Sequence, residues 1–312
     1  MGELTDLSII IVSWNVAELL RACLQSITQS SLGQYTIEIL VVDSASTDHS
    51  VQMVRDHFPQ VKILPQNTNV GFSRCNNIGL LASIGRYIFL LNPDTEIVGN
   101  ALAHMIAYMD ANPSVGILGP HTLNTDGTTQ STRRRFPTLA LGFVESTWLQ
   151  KFAPKNMLAH YYATDVADDS VSDVDWVQGS ALLTRRDVYT QIGGLDENYV
   201  MYSEEMDWCK RAKSAGWRVI YFGTADIVHH GGKSSEQVTS RKHIHFQESK
   251  LRYFRKFHGW LPAQALRLFL LLSYLWQIVL ESLKSALGHK RSIRRERILA
   301  YWQVLRSGLK VN

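Results

Sequence analysis

The sequence predicts an α/β fold on a mostly parallel sheet, with a helical extension at the C-terminal end. Three observations predict it. Apolar strand-like runs alternate with helical patterns of roughly ten to fifteen residues over the first 120 positions. Several of those runs stop on a polar or acidic residue, as strands do where an open sheet holds its ligand. Beyond residue 240 the pattern becomes helical throughout.

The elements follow in order. "LSIIIVSWN" (7–15) is a continuous β-branched run and reads as a buried strand, after which Leu19, Leu20, Cys23, Leu24 and Ile27 recur at helical spacing. "IEILVVD" (37–43) is a second strand, followed by a helix over about 48–58. "VKILPQ" (61–66) is a third, followed by a helix over about 73–84. "YIFLLN" is the fourth, and its helix is expected from Ile97 to about Ala111, with Asp94 or Thr95 as a possible cap. "VGILGP" (115–120) makes a fifth. From 121 to 175 the pattern weakens around "NTDGTT" and the run Arg133-Arg134-Arg135, which reads as added phosphate contacts or as a solvated or acceptor-side face, and it returns with "WVQGSALLTRR" (176–186). The expected organisation is a catalytic body over 1–240, with halves at about 1–120 and 121–240, and a basic helical tail over 241–312.

Composition bounds the function. With 312 residues, 45% apolar and 19% charged, the chain has the make-up of a globular protein with a sizeable core. The net charge of +4 hides a split: residues 241–312 hold 15 Lys and Arg against three acids, a balance of +12, so the preceding 240 residues carry −8. Such asymmetry suggests contact with nucleic acid or an anionic membrane. Cys23, Cys75 and Cys209 are far apart and show neither disulfide nor zinc spacing, which fits a reducing cytosol. The acidic start, without a basic leader, does not read as a secretion signal.

Chemistry concentrates at the strand ends. Asp43 closes the second strand and Asp94 follows the fourth, so both are expected at one edge of the sheet. Between them "NVGFSRCNNIG" (69–79) offers glycines for close backbone approach and donors for phosphate or ribose oxygens. No strand is followed by G-x-G-x-x-G, and "GGKSS" lacks the first glycine of a P-loop, whose place is held by Ile227. "YSEEMDWC" groups Glu204, Glu205 and Asp207 among apolar neighbours, where burial would raise carboxylate pKa values and favour a general base. The bland alternative is a helix's first-turn acids. His229 and His230 then stand at a strand end before two glycines, a plausible ligand position.

These segments carry a resemblance. "SIIIVSWN", "VVDSASTD", "NVGFSRCNNIG", "LLNPD", "WVQGSALLTRR", "GGLDENYVMYSEEMDWCKRAKSAGW" and "VHHGGKSS" occur, from 7 to 235, in the order and spacing of the family-2 glycosyltransferases of the GT-A fold. Within them they are similar to the rhamnosyltransferase-like members. The resemblance implies a Rossmann-like, mostly parallel sheet and an inverting transfer of a sugar from a nucleoside-diphosphate donor to a glycan or lipid-linked acceptor. It implies that Asp43 reads a pyrimidine base, that Asp94 and a histidine near 229 hold Mg²⁺ or Mn²⁺, and that the second acid of Glu204-Glu205 is the base. The nucleotide-sugar site would be lined by Asn15, Asp43, Asp48, Asn69, Gly71, Arg74, Asn77, Asn92 and Gly179, with Glu204 and Asp207 supporting Glu205. Three departures stand out: Ser44 replaces the usual Asn, Asn92 replaces the first acid of Asp-x-Asp, and Glu205 is one methylene longer than the usual Asp. A nucleotidyltransferase is a weaker alternative, because "SWNVAELL" offers no basic glycine loop after the first strand. A non-catalytic sugar-binding relative is another.

No stretch reaches the eighteen or so uncharged residues of a spanning helix. Arg267 and Glu281 bound thirteen uncharged residues, a helix about 20 Å long against a hydrocarbon core of roughly 30 Å. One reading is a core helix packed on the catalytic body; basic clusters on both sides suit instead a helix lying on anionic lipid, so the expectation is a cytoplasmic protein peripheral to the inner face of the membrane, with no nucleic-acid partner.

Overall fold

The structure, a computed structural model, describes residues 5–231, 239–288 and 290–310, so the end of the "VHHGGKSS" motif lies outside the described residues. Strand β1 (Leu7–Ser13) leads into α1 (Ala17–Gln29), β2 (Ile37–Asp43) into α2 (Ser50–His57), and β3 (Lys62–Pro65) into α3 (Phe72–Ala82). Next come β4 (Tyr87–Leu91), β5 (Thr95–Ile97), α4 (Ala101–Ala111) and β6 (Val115–Leu123). The weakly patterned stretch holds only short pieces: β7 (Thr129–Gln130), β8 (Arg133–Arg134), α5 (Leu139–Val144), a 3₁₀ turn (Trp148–Phe152), α6 (Lys155–Tyr161) and β9 (Val171–Asp173). Then follow β10 (Trp176–Val177), β11 (Ala181–Arg185), α7 (Arg186–Ile192), α8 (Glu204–Ser214) and β12 (Arg218–His229). Three helices complete the chain: α9 (Thr239–His258), α10 (Trp260–Ala286) and α11 (Arg291–Ser307).

The main sheet runs β3-β2-β1-β4-β11-β6-β12-β5, with β7 beside β6 and β9 beside β12. Strands β1 to β4 are parallel, β11 runs against both β4 and β6, and β12 is parallel to β6. Strand order reverses between β1 and β4, and open α/β sheets bind ligands outside the carboxyl ends at such a point. The core on one face joins alternate residues of β1, β2 and β4 to α1, α2 and α4. On the other face α3 presses so close to β1 that a Cβ at Gly79 would come within 2.4 Å of Ile10. Only a glycine allows that approach.

One element differs from expectation in a way that matters. No helix begins at Ile97, and 95–97 is a strand antiparallel to β12, pairing Thr95 with His229 and Ile97 with Ile227. The Thr95 hydroxyl donates to the Asn92 carbonyl at 2.7 Å and turns the chain, while the Ile97 N–H is taken by Ser26 Oγ at 2.9 Å. Helix α4 starts four residues later, at Ala101. Asp94 is therefore not its cap.

The chain divides into two compact units: Met1–Phe136, His160–Asn198 and Glu204–Ser234 form the first, and Pro137–Ala159, Tyr199–Ser203 and Ser235–Asn312 the second. The second unit thus includes two short segments from within the expected body besides the tail. Packing explains one of them: Lys250 of α9 donates to the Glu145 carbonyl at 2.6 Å, and α5 offers Gly142, which has no side chain, to the ring of Phe254.

The tail corrects the reading of its apolar stretch. Helix α10 has 27 residues, about 40 Å at 1.5 Å per residue, with an eighteen-residue window of mean hydropathy 1.5. By length and composition it is apolar enough to cross a membrane. The two charges that bounded the stretch are both engaged within the unit: Arg267 donates to the Gly308 carbonyl at 2.7 Å, and Glu281 accepts from Arg294 at 2.6 and 2.8 Å.

Candidate active site

At the carboxyl end of β2, Asp43 is 2% exposed. Its Oδ2 accepts from the Ser46 N–H at 2.9 Å, and its Oδ1 is buried with no partner among the described residues. Ser13 at the end of β1 pairs in register with Asp43, and its Oγ is likewise buried and partnerless. Leaving such groups unsatisfied costs about 1–3 kcal/mol each, so two together point to a ligand that supplies the partners. Ser13 was not among the expected site residues, although its register with Asp43 was the available clue.

The surrounding loop residues divide by role. Asn15, with φ of +52°, accepts the Thr47 N–H on Oδ1 at 2.7 Å. Asn69 accepts from Ser44 Oγ and from the Gly71 N–H, both at 3.1 Å, and Gly71, with φ of +88°, opens α3. Ser44 thus holds the loop from the position where Asn is usual. Arg74 is exposed and makes no hydrogen bond or ion pair among the described residues, so it is available to a phosphate. Asn92 gives its backbone to the frame: its N–H donates to the Ser180 carbonyl at 2.9 Å.

Two expected ligand residues are instead committed to the protein. Asp48 accepts from the Ala17 N–H on one oxygen and from the Ser50 N–H and hydroxyl on the other, joining α1 to α2. Burial pushes its pKa up, but these hydrogen bonds outweigh it and hold the carboxyl below the usual range. Asn77 donates to the Leu195 carbonyl at 2.9 Å and to Glu197 at 3.0 Å, and accepts the Leu195 N–H at 2.9 Å. It therefore braces the "GGLDE" loop.

Pairing of β5 with β12 brings Asp94 to His229. Asp94 is 3% exposed, its carbonyl accepts the His230 N–H at 2.8 Å, and its Oδ1 lies 3.3 Å from His229 Nε2. Gln130 of β7 grips the same histidine at both ends: its amide Nε2 donates to the His229 carbonyl at 2.8 Å, and its Oε1 stands 2.9 Å from His229 Nδ1. With the amide oriented by the first contact, Nδ1 donates to Oε1 and Nε2 is turned to Asp94. That nitrogen is buried, forms no hydrogen bond among the described residues, and faces a carboxylate oxygen. Two electron-rich atoms in this position fit a cation between them. His230 is engaged elsewhere, 2.6 Å from Glu96, so His229 is the histidine of the pair that faces Asp94. Among the described residues no three His, Cys, Asp or Glu side chains gather as a metal cluster. A hard cation here would need further oxygens, which a diphosphate and water supply.

The acids of α8 separate in the same way. Asp207 is fully buried and its Oδ2 accepts from Arg211 Nε at 2.7 Å. Arg211 in turn donates to the Ile192 and Gly194 carbonyls at 2.7 Å each. Asp207 is therefore a brace rather than a reacting acid. Glu204 and Glu205 are both buried at one oxygen without a partner. Burial and the neighbouring Glu205 charge hold Glu204 well above the usual carboxylate range. Burial also raises Glu205, but backbone N–H groups, including that of Gly179, and the Arg134 charge oppose the shift. Of the two, Glu205 is the one that backbone N–H groups and a cation face. Gly179 lies against it, 3.5 Å separating an added Cβ from the Glu205 Cβ.

The three arginines, expected as a phosphate-binding or surface run, are built in. Arg133 and Arg134 are 6% and 8% exposed because β8 pairs with β10. Their guanidiniums lie over Tyr221 at 4.6 Å and Tyr162 at 4.7 Å. Arg135 forms a two-pronged bond to Asp165 at 2.6 and 2.7 Å.

Residues 8–171, more than half of the chain, match glycosyl transferase family 2. The chain belongs to that family. This family-2 glycosyltransferase uses a nucleotide sugar, and it is 28% identical over 270 residues to an N-acetylglucosaminyl-diphospho-decaprenol L-rhamnosyltransferase of Mycobacterium tuberculosis, covering 82% of this chain and 87% of the relative. It is 27% identical over 197 residues to the rhamnosyltransferase WbbL of Escherichia coli K12, covering 60% and 70%. The fold is that of the GT-A enzymes. A mannosyltransferase from Pyrobaculum calidifontis, solved with GDP-Man and Mn²⁺, superposes with a TM-score of 0.57 at 17% identity, covering 99% of this chain and 86% of that one. GalNAc-T7, solved with UDP, GalNAc and Mn²⁺, gives 0.60 at 15% identity, covering 82% and 48%.

Proposed function

We propose that this glycosyltransferase moves a rhamnosyl group from deoxythymidine-diphosphate rhamnose to a lipid-linked glycan, with inversion and with a divalent cation. The carrying observation is the buried Nε2 of His229 facing Asp94 at the sheet edge. The names of the relatives support the sugar and the acceptor.

In this reading Asp43 Oδ1 accepts the imide N–H of the pyrimidine, with the Ser13 hydroxyl beside it. Arg74 meets phosphate oxygens. Asp94 and His229 hold Mg²⁺ or Mn²⁺, which when bound neutralises the charge gathering on the departing diphosphate. Glu205 takes the proton from the acceptor hydroxyl, the new C–O bond forms at the anomeric carbon, and the bond to the diphosphate breaks on the opposite face. Glu204 keeps its own proton, which spares Glu205 a second negative charge beside it. With a lipid-linked acceptor, the place of work is the cytoplasmic face of a membrane.

The test is direct. Purified protein is incubated with deoxythymidine-diphosphate rhamnose, uridine-diphosphate sugars and a polyprenyl-diphospho-N-acetylglucosamine, with Mn²⁺ or EDTA. Mass spectrometry should show one rhamnose added to the lipid only with metal present. Donor binding without transfer to any acceptor would favour a non-catalytic relative.

A further inference from the structure

Helix α10 carries an apolar stripe. Leu261, Leu268, Leu272, Leu275, Val279 and Leu283 recur at spacings of seven, four, three, four and four residues, and each is 43–72% exposed. Trp276, 52% exposed, flanks the row. The stripe spans 23 residues, about 33 Å of helix from first to last. Between Leu261 and Val279 the only charged residue is Arg267, and it is bound to Gly308. Monomeric soluble proteins rarely leave so long a continuous apolar face in water.

The opposite face decides how lipid could cover it. That face buries Ala263, Leu266, Leu270, Ser273, Tyr274, Ile278 and Glu281. Three polar groups of α10 are bonded to neighbouring elements, near its start, middle and end. Arg267 reaches the chain beyond α11, the Tyr274 hydroxyl accepts from Gln247 of α9 at 3.3 Å, and Glu281 is locked to Arg294 of α11. A spanning position would carry those partners into hydrocarbon or strip them away, and either is costly for ionised groups. A helix lying along one interface keeps them on the protein side.

Charge selects the kind of surface. From residue 282 to 310 there are eight Lys and Arg against one acid, Glu296. Lys290, Arg291, Arg295, Arg297 and Arg306 are exposed. Leu299 and Trp302 of α11, 63% and 48% exposed, stand among them. Each cation near an anionic leaflet contributes about 1 kcal/mol.

We propose that the exposed stripe of α10, with the exposed basic residues of α11, is a monotopic docking surface for anionic phospholipid, inserted to the depth of one leaflet's interface. This is a property of the second unit and does not depend on the identity of the donor sugar.

The test is flotation of the full chain with vesicles of phosphatidylcholine containing 30 mol% phosphatidylglycerol, and with phosphatidylcholine alone, without donor or acceptor. The anionic vesicles should carry several times more protein at 0.1 M than at 0.5 M NaCl. Leu268→Gln/Leu272→Gln/Leu275→Gln, all at exposed positions, should lower bound protein at least tenfold with an unchanged far-UV circular dichroism spectrum. Arg291→Gln/Arg295→Gln/Arg297→Gln should abolish the preference for anionic lipid. Depth is read from Trp276, as the fluorescence lost in Trp276→Phe: quenching should be strongest with bromines near the headgroup end of the acyl chain. Maximal quenching at the bilayer centre, with resistance to alkaline carbonate, would mean a spanning helix and overturn the proposal. So would absence from both vesicle types, with or without a concentration-dependent dimer that covers the stripe. Asp94→Ala should float as the unaltered chain does, so failure of the catalytic reading and failure of this one are separable.

Discussion

Gln130 holds His229 by its Nδ1 side and its carbonyl, which turns Nε2 toward Asp94 Oδ1 at 3.3 Å. The geometry of one amide thereby sets the chemical character of the site, and the first prediction concerns it. Gln130→Ala should weaken Mn²⁺ binding, in the presence of a nucleoside diphosphate, by about 10–100-fold. Electron paramagnetic resonance of free Mn²⁺ measures this without turnover. Equal affinity in Gln130→Ala, with loss in His229→Ala, would show that the ring needs no such brace.

Asp94→Ala should abolish metal-dependent thermal stabilisation by donor and leave the unliganded melting temperature within a few degrees. Helix α4 begins at Ala101, so no cap is lost. Near-normal turnover would remove Asp94 from the chemistry.

Glu205→Gln should lower turnover by about a hundredfold or more with little change in donor affinity. Because burial raises Glu205 above the usual carboxylate range, the acid limb of the kcat profile should lie above that range too. Glu205→Asp restores the family's shorter side chain and should retain measurable activity. A greater loss in Glu204→Gln than in Glu205→Gln would exchange their roles.

Glu204 also makes a stability prediction. Its folded pKa is raised above the unfolded value, so its protonated form favours the fold. That contribution is complete below the unfolded pKa, near 4.5, and is lost as pH rises toward the folded one. Glu204→Gln should therefore gain stability over the unaltered chain at pH 8 and lose that advantage near pH 4. Urea unfolding at the two pH values checks the sign.

Asp207→Ala leaves the half-buried Arg211 without its carboxylate and should cost about 1–3 kcal/mol of stability. If the remaining activity per folded molecule fell as far as in Glu205→Gln, the bracing role would be wrong.

Much of this was legible in the sequence, and the exceptions share a cause. The parallel half of the sheet could be read because β1, β2 and β4 are buried on both faces and become continuous apolar runs, as in "IEILVVD". Asp43, Asp94 and the Glu204-Glu205 pair stood out as acids where such runs stop or among apolar neighbours. Strand β5 could not be read, because three residues carry no periodicity and its partner is far along the chain. Gln130 sits in a two-residue strand and was invisible for the same reason. Asn77 and Asp48 looked like ligand donors because composition records what a side chain can bond, not what it already bonds. The arginine run misled likewise, since burial over tyrosine rings leaves no trace in a local window.

Strand β5 meets its neighbour across 134 positions of sequence, as the contact between Glu96 and His230 shows. A nascent chain therefore exposes Asp94 long before its partner histidine emerges from the ribosome. Closing so long a loop is entropically slow, and strand β12 must be nearly complete before it can happen. Asp94 can thus gain His229 as a partner only late in synthesis. Metal and donor, binding after that closure, would act as a latch on the sheet's far edge, and their withdrawal should be felt first as faster hydrogen exchange in β5 and the last turns of β12.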